Sequence, residues 1–276
     1  MGKPELHPSV SGLIRRLEGI VEVEGILLGG SVAEGTADPE SDYDLYVYSN
    51  FAVPLEKRRE QIFDLFGTIE MNNRFWETED DGILSNGNIQ AEIVYRDIEW
   101  LKDVIESRIF RFQADTGYTT CFWANFIHSE ILFDRNKILA GLKERYTITY
   151  PPELKKNIIR KNFAILKKGI PAYYHQIAKA AGRNDTVSVN HRVAAFLASY
   201  FDILFALNEI PHPGEKKIVR ILNERAKLLP ENFQKDVSCL IGQSGSCSLE
   251  ISSTLDRIHS RLESLLISEG FSQKTF

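Results

Sequence analysis

The spacing of apolar residues predicts a mixture of helices and strands in the first 150 residues. Val10, Leu13 and Leu17 recur at the spacing of a helix, and residues 21–28 read as the first strand. Residues 89–95 alternate between apolar and polar positions, which is typical of a strand with two different faces. Further helices are predicted at 54–66, 98–110, 116–133 and 135–145, and a further strand at 68–71.

The pattern changes at Tyr150-Pro151-Pro152, the clearest break in the chain. Beyond it every periodic segment is helical, and residues 189–207 are apolar on most sides, as in the centre of a bundle. We therefore predict an α+β protein with two domains. Residues 1–150 form a mixed sheet with flanking helices, and residues 151–276 form an all-helical bundle domain.

Two charged segments are interpreted as solvated surface. Residues 77–82, Glu-Thr-Glu-Asp-Asp-Gly, read as a charged turn, and Lys57-Arg58-Arg59 as the outer face of a helix. An acidic lip of a cleft and a phosphate site are the respective alternatives.

Candidate chemistry is concentrated between residues 26 and 48. The segment reads as a strand, a glycine-serine turn, a short helical loop and a second strand that carries Asp42 and Asp44. Residues two apart on a strand point to the same face. The two carboxylates therefore project together, while Tyr43, Leu45 and Val47 point to the opposite, buried side. Mg²⁺ prefers hard oxygen ligands and is usually held by one or two carboxylates plus substrate phosphates.

The turn before this strand fits a phosphate group. Gly29 and Gly30 allow the backbone to approach a ligand closely, and Ser31 adds a hydroxyl at the start of a helix, where backbone amides bind anions. Together with the two aspartates, these residues predict a site for a nucleoside triphosphate and its Mg²⁺. Glu92 is the only ionisable residue inside the apolar strand at 89–95.

A glycine-serine turn, a loop of about ten residues and Asp-x-Asp between apolar residues resembles the signature of nucleotidyltransferases related to DNA polymerase beta. Ser41 and Gly35 make the motif most similar to bacterial antibiotic nucleotidyltransferases of the aminoglycoside type. The resemblance implies a third carboxylate on a neighbouring strand. Glu92 matches it by position, either as a metal ligand or as the general base.

The resemblance also implies that basic residues of a helical second domain reach the triphosphate. Lys216, which follows a Pro-Gly turn, is the first candidate for this task, and Arg183 is the second. Any lysine beside a turn is equally consistent with plain solvated surface.

Composition narrows the range of partners. The net charge of −5 is uneven: residues 1–150 hold 26 Asp and Glu against 15 Lys and Arg, and the remainder hold 12 against 18. An acidic first domain disfavours a long nucleic acid and suits a cationic or polyhydroxylated small molecule. No apolar run approaches the roughly 18 residues of a membrane span. Three scattered cysteines and no signal-peptide pattern predict a cytoplasmic protein.

The combined hypothesis is a Mg²⁺-dependent enzyme, a monomer or a homodimer, that transfers a nucleoside monophosphate to a hydroxyl of a small polar acceptor. AMP from ATP is the leading donor group, and an aminoglycoside-like antibiotic the leading acceptor, by analogy with the family. Two alternatives stay open. One is a protein-modifying adenylyltransferase of toxin-antitoxin type, and the other is a nucleotide-binding module without turnover.

Overall fold

A computed structural model of the chain describes residues 6–33, 35, 41–247 and 250–271. The chain divides into two compact units. The first comprises residues 1–106 and 122–148, and the second comprises residues 107–121 and 149–276. That these units act as a catalytic domain and a substrate-closing domain stays a prediction.

The sheet lies in the first unit, and the described residues give it six strands. Its spatial order is β3-β4-β5-β2-β1-β6, and β2 and β5 run parallel at its centre while the other neighbours run antiparallel. The strands are β1 Val23–Leu28, β2 Tyr43–Ser49, β3 Phe66–Asn73, β4 Thr78–Leu84, β5 Ile89–Asp97 and β6 Glu130–Asp134.

Helices flank the sheet and make up the second unit. Those up to residue 148 are α1 Pro8–Glu18, α2 Gly30–Ala33, α3 Leu55–Ile62 with a 3₁₀ turn at Phe63–Leu65, α4 Ile98–Ile109, α5 Cys121–His128 and α6 Ile138–Tyr146. The later helices are α7 Pro152–Lys167, α8 Tyr173–Ala181, α9 Thr186–Leu207, α10 Ile218–Arg225, α11 Phe233–Ser244 and α12 Ile251–Ser268. The predicted fold class, a mixed sheet with flanking helices followed by helices alone, is confirmed. Within the described residues, no helix is both long and apolar enough to cross a membrane.

The main core of the first unit lies between α1 and one face of the sheet. Val10, Leu13 and Leu17 of α1 pack in the same buried cluster as Leu45 and Val47 of β2. The alternation predicted for β2 is therefore correct, because Tyr43, Leu45 and Val47 face this core. Asp44 consequently points to the opposite face of the sheet.

The charged segment at residues 77–82 is not a turn, and this prediction was wrong. Most of it belongs to β4, which pairs with β3 on one side and β5 on the other. Asp80 is fully buried, 0% exposed, and accepts a hydrogen bond of 2.6 Å from Arg58. The interpretation of Arg58 as solvated was wrong for the same reason, since Arg58 is only 2% exposed. The opposite charges permit burial that neither residue would tolerate alone.

Arg58 has further partners that hold it in the interior. It donates to the side-chain oxygen of Asn72 at 3.0 Å, and its guanidinium lies 4.5 Å from the centre of the Tyr95 ring. The backbone N–H of Asn72 donates to the same Asp80 carboxylate at 2.7 Å. The ion pair thus joins α3, β3 and β4.

The helix predicted at 116–133 was also too long. Helix α5 ends at His128, and residues 130–134 form β6, an edge strand paired with β1. A short apolar run does not distinguish a buried helix from a strand, and pairing with the open side of β1 decides the outcome.

The second unit contains a buried polar cluster beside its central helix α9. Asp202 accepts hydrogen bonds from the backbone N–H of Thr119 at 3.1 Å and from its hydroxyl at 2.6 Å. Asn162 of α7 donates to the same carboxylate and accepts from the Gly117 N–H. These contacts hold the loop before α5, where Gly117 and Tyr118 have positive φ.

Candidate functional site

Three carboxylates meet at the open face of the central parallel strands. Asp42 immediately precedes β2, Asp44 lies on β2, and Glu92 of β5 is directly opposite Asp44 in the strand register. One oxygen from each of the three groups lies within 4.8 Å of the others, and all three residues are half-buried. The structure brings together the two aspartates and the glutamate that the sequence singled out.

The charges of these groups oppose one another. The pKa of Glu92 is raised to about 7, first by burial and then by the negative charges of Asp42 and Asp44. Burial disfavours the charged form of Glu92 first, and the neighbouring carboxylates add a second penalty from electrostatic repulsion. A divalent cation would relieve it, and three carboxylates at this spacing are the oxygen donors that Mg²⁺ prefers. The residues present therefore fit a bound metal ion.

The glycine turn adjoins this cluster through close contacts. The Gly29 N–H donates to the backbone carbonyl of Asp44 at 2.9 Å. Gly30 has a φ of +62°, and a Cβ at this position would overlap the Asp44 carboxylate. Only glycine fits both the backbone conformation and the space. Ser31 follows in α2, which has only four residues. A helix this short has a small dipole, so a phosphate bound here would interact mainly with backbone N–H groups of the turn.

A row of acidic residues extends from the cluster across the sheet. Asp81 of β4 is opposite Glu92, and Glu70 of β3 is opposite Asp81. The pKa of Asp81 is raised, mainly by burial. A hydrogen bond of 2.9 Å donated by Asn73 lowers this pKa but does not cancel the effect of burial. We missed Asp81 because its segment read as a turn. An alternating interpretation of residues 78–84 would have placed it on this face.

The other predicted site residues lie in the motif loop and in the second unit. Gly35 and Ser41 are described, whereas residues 34 and 36–40 of the motif loop lie outside the described residues. Lys216 and Arg183 belong to the second unit, where each is exposed in a turn, the first before α10 and the second after α8. A role for them at the triphosphate stays a prediction.

Comparison with known proteins identifies the first unit. The family model of the nucleotidyltransferase domain matches residues 10–107, which include most of α1, the glycine turn and all three carboxylates. No curated protein matches the chain.

The solved structures similar to this chain include a nucleotidyltransferase-like protein from Exiguobacterium sibiricum 255-15. The two are 14% identical with a TM-score of 0.44, and the match covers 95% of this chain and 74% of the other. A similarity this distant implies nothing about activity or acceptor.

The domain match and the site geometry bear on the same residues. The Asp-x-Asp strand, the glycine turn and the opposed glutamate all lie inside the matched range. Residues 10–107 match the nucleotidyltransferase domain, and the predicted enzyme class, a nucleotidyltransferase, is confirmed.

Proposed function

We propose that this protein transfers a nucleoside monophosphate, AMP from ATP, onto a hydroxyl group of a small polar acceptor. One observation carries the proposal: three carboxylates converge beside a glycine turn within a nucleotidyltransferase domain. This combination provides a place for a metal ion next to backbone N–H groups that suit phosphate.

Asp42, Asp44 and Glu92 would hold Mg²⁺ through their carboxylate oxygens. When bound, the ion neutralises phosphate charge and favours departure of pyrophosphate. The aspartates would position the donor against the acceptor hydroxyl. The Gly29 N–H is engaged with the Asp44 carbonyl, so the Gly30 N–H and the Ser31 hydroxyl would orient the triphosphate.

Glu92 has two chemically distinct roles open to it. It either completes the metal site or takes the proton from the acceptor hydroxyl. A general base at this position would typically contribute about 10²–10⁴ in rate. The position opposite Asp44 supports either role.

The acidic row supports a cationic acceptor. Asp81 and Glu70 continue the negative charge of Asp44 and Glu92 across four strands, and positively charged amino groups would be attracted to that surface. A polyhydroxylated polyamine such as an aminoglycoside-like antibiotic combines those amino groups with hydroxyl groups that can accept AMP. We extend the proposal to this class of acceptor.

Several finer predictions belong to the same proposal. Lys216 and Arg183 would contact the triphosphate from the second unit, the reaction would take place in the cytoplasm, and the enzyme would act as a monomer or a homodimer. Each follows from the sequence argument.

The test begins with titration calorimetry of ATP in the presence and absence of Mg²⁺. Wild type should bind ATP in a Mg²⁺-dependent manner, and Asp42→Asn/Asp44→Asn should lose this binding. The matched control is Glu60→Gln/Asp64→Asn, which removes two charges from exposed positions of the same unit and should bind as wild type. A folded wild type that binds no nucleoside triphosphate would contradict the proposal.

A screen of acceptors with labelled triphosphates follows. Transfer of label to an aminoglycoside or related polyamine supports the small-molecule acceptor. Label that appears only on a protein favours the toxin-antitoxin alternative, and nucleotide binding without transfer to any acceptor favours a silent binding module.

A further inference from the structure

The ring of Tyr46 fills the space beneath the glycine turn. Tyr46 lies two residues after Asp44 on β2, so the two side chains share one face of the sheet. A Cβ on Gly29 would collide with this ring and approach its Cζ atom to 3.1 Å. The turn that adjoins the carboxylates therefore rests directly on an aromatic side chain.

Arg96 of β5 holds the Tyr46 ring from the other side. Its guanidinium lies 4.3 Å from the ring centre, an arrangement in which a cation is attracted to the aromatic face. Arg96 is itself fixed, because it donates two hydrogen bonds to Glu77 at 2.8 and 2.6 Å. Both Glu77 oxygens are engaged, which leaves the guanidinium little freedom to leave the ring.

Asn125 of α5 fixes the rotation of the same side chain. Its amide donates to the Tyr46 hydroxyl at 3.1 Å, and its oxygen accepts from Arg96 at 3.4 Å. The Tyr46 ring is thus held at its face by Arg96 and at its hydroxyl by Asn125. All these residues belong to the first unit.

We propose that Tyr46, held by Arg96 and Asn125, is a positioning residue that keeps the Gly29-Gly30 turn in the conformation that binds the triphosphate. This inference rests on the proposed function. Sites of this kind lose affinity when their supporting residues are loosened, because the backbone donors must be held within a fraction of an ångström. The inference needs no contact between these residues and the substrate, since their effect passes through the turn.

The experiment compares nucleotide affinity with stability. Tyr46→Phe removes the hydrogen bond with Asn125 and should raise the Kd for ATP with Mg²⁺ about two- to tenfold. Tyr46→Leu also removes the ring and should raise this Kd about tenfold to a hundredfold, as loss of supporting residues commonly does. Asn125→Ala should resemble Tyr46→Phe. Calorimetry gives the Kd, and thermal unfolding gives the stability of each variant.

The matched control is Tyr146→Phe. Tyr146 is fully buried in the same unit, and its hydroxyl donates to Glu106 of α4 at 2.8 Å. The control also loses a phenolic hydroxyl and a hydrogen bond, in this case one donated to a carboxylate and hence the stronger of the two. Its Kd for ATP should stay within about twofold of wild type, since this hydrogen bond joins α6 to α4 and does not involve Tyr46, Arg96 or Asn125.

The outcomes separate this inference from the proposed function. Weakened binding in both Tyr46 variants, but not in Tyr146→Phe, supports the positioning role. Wild-type affinity in the Tyr46 variants, or equal weakening in the control, overturns this inference alone. Absence of ATP binding by wild type overturns both proposals.

Discussion

Neighbouring residues of one strand, Asp80 and Asp81, carry the same charge in opposite surroundings. Asp80 points to the core face of the sheet and meets Arg58 with 0% exposure. Asp81 points to the other face, opposite Glu92, in a row of acidic residues. On the core face, Arg58 neutralises the negative charge of Asp80. On the other face, the negative charges of Asp81 and Glu92 lie side by side.

The comparison separates two uses of a carboxylate. A buried charge that serves only the fold needs a counter-charge inside the protein, because desolvation otherwise outweighs its interactions. Burial raises the pKa of Glu92 first, and the negative charges of its neighbours raise it further. Retention of these carboxylates is therefore consistent with a ligand that supplies positive charge from outside. The face of the sheet that carries Asp81 and Glu92 is therefore the better candidate for the functional site.

The largest effect on stability is expected where the core pair is broken. Asp80→Asn leaves Arg58 buried without its counter-charge and should lower the free energy of unfolding by about 3–5 kcal/mol. The control is Asp64→Asn, which breaks the exposed pair with Arg16 and should cost about 0–1 kcal/mol. Urea denaturation measures both variants. Equal losses would show that burial of the first pair has no special weight.

Glu92→Gln should raise the free energy of unfolding, by less than Asp80→Asn lowers it. Because folding raises the Glu92 pKa from 4.5 to about 7, the folded state binds the proton more tightly, and wild-type stability falls as pH rises through this interval. Without metal at pH 8, the variant should therefore be more stable than wild type. The gain should be about 1–2 kcal/mol, below the full value of the shift because the carboxyl is only half-buried.

The pH dependence of this gain provides its control. The difference between Glu92→Gln and wild type should shrink as pH falls from about 7 towards 4.5 and vanish below about pH 4, where the carboxyl is protonated in both folded and unfolded states. Added Mg²⁺ should raise the melting temperature of wild type more than that of the variant. A constant difference from pH 5 to pH 8 would contradict the electrostatic explanation.

The smallest effect is expected for Asp81→Asn. Loss of one charge from the acidic row should raise the KM of a cationic acceptor about two- to fivefold at low salt, with no change in the KM for ATP. The control is Glu99→Gln, an exposed charge at the start of α4. An unchanged acceptor KM at low salt would remove Asp81 from the acceptor surface. Steady-state kinetics with the acceptor from the screen measures both variants.

The sequence was sufficient for the parts of the site that depend on local periodicity. The two-residue repeat of a strand placed Asp42 and Asp44 together and sent Leu45 and Val47 to the core. The strand that carries Glu92 was predicted in the same way, and its pairing with the Asp-x-Asp strand followed from family resemblance.

The sequence was insufficient where a distant partner decides the environment. No residue near Asp80 in the chain indicates its partner Arg58, which lies 22 residues away, so a strand of the sheet read as a charged turn. Strand β6 was missed for a similar reason, since its pairing with β1 joins segments more than 100 residues apart. The support beneath Gly29 needs Tyr46, Arg96 and Asn125 to meet, and no local pattern encodes that meeting.

The ion pair between Arg58 and Asp80 also bears on how β4 is aligned. Among the residues of this strand, Asp80 and Leu84 are the buried ones, so hydrophobic alternation specifies its register only weakly. If β4 shifted by one residue against its neighbours, Asp80 and Asp81 would exchange faces. Arg58 would then be buried beside Asp81 or without any counter-charge. We infer that the ion pair between Arg58 and Asp80 fixes the register of β4 in the β3-β4 hairpin. The alignment that satisfies Arg58 is also the one that sets Asp81 beside Glu92.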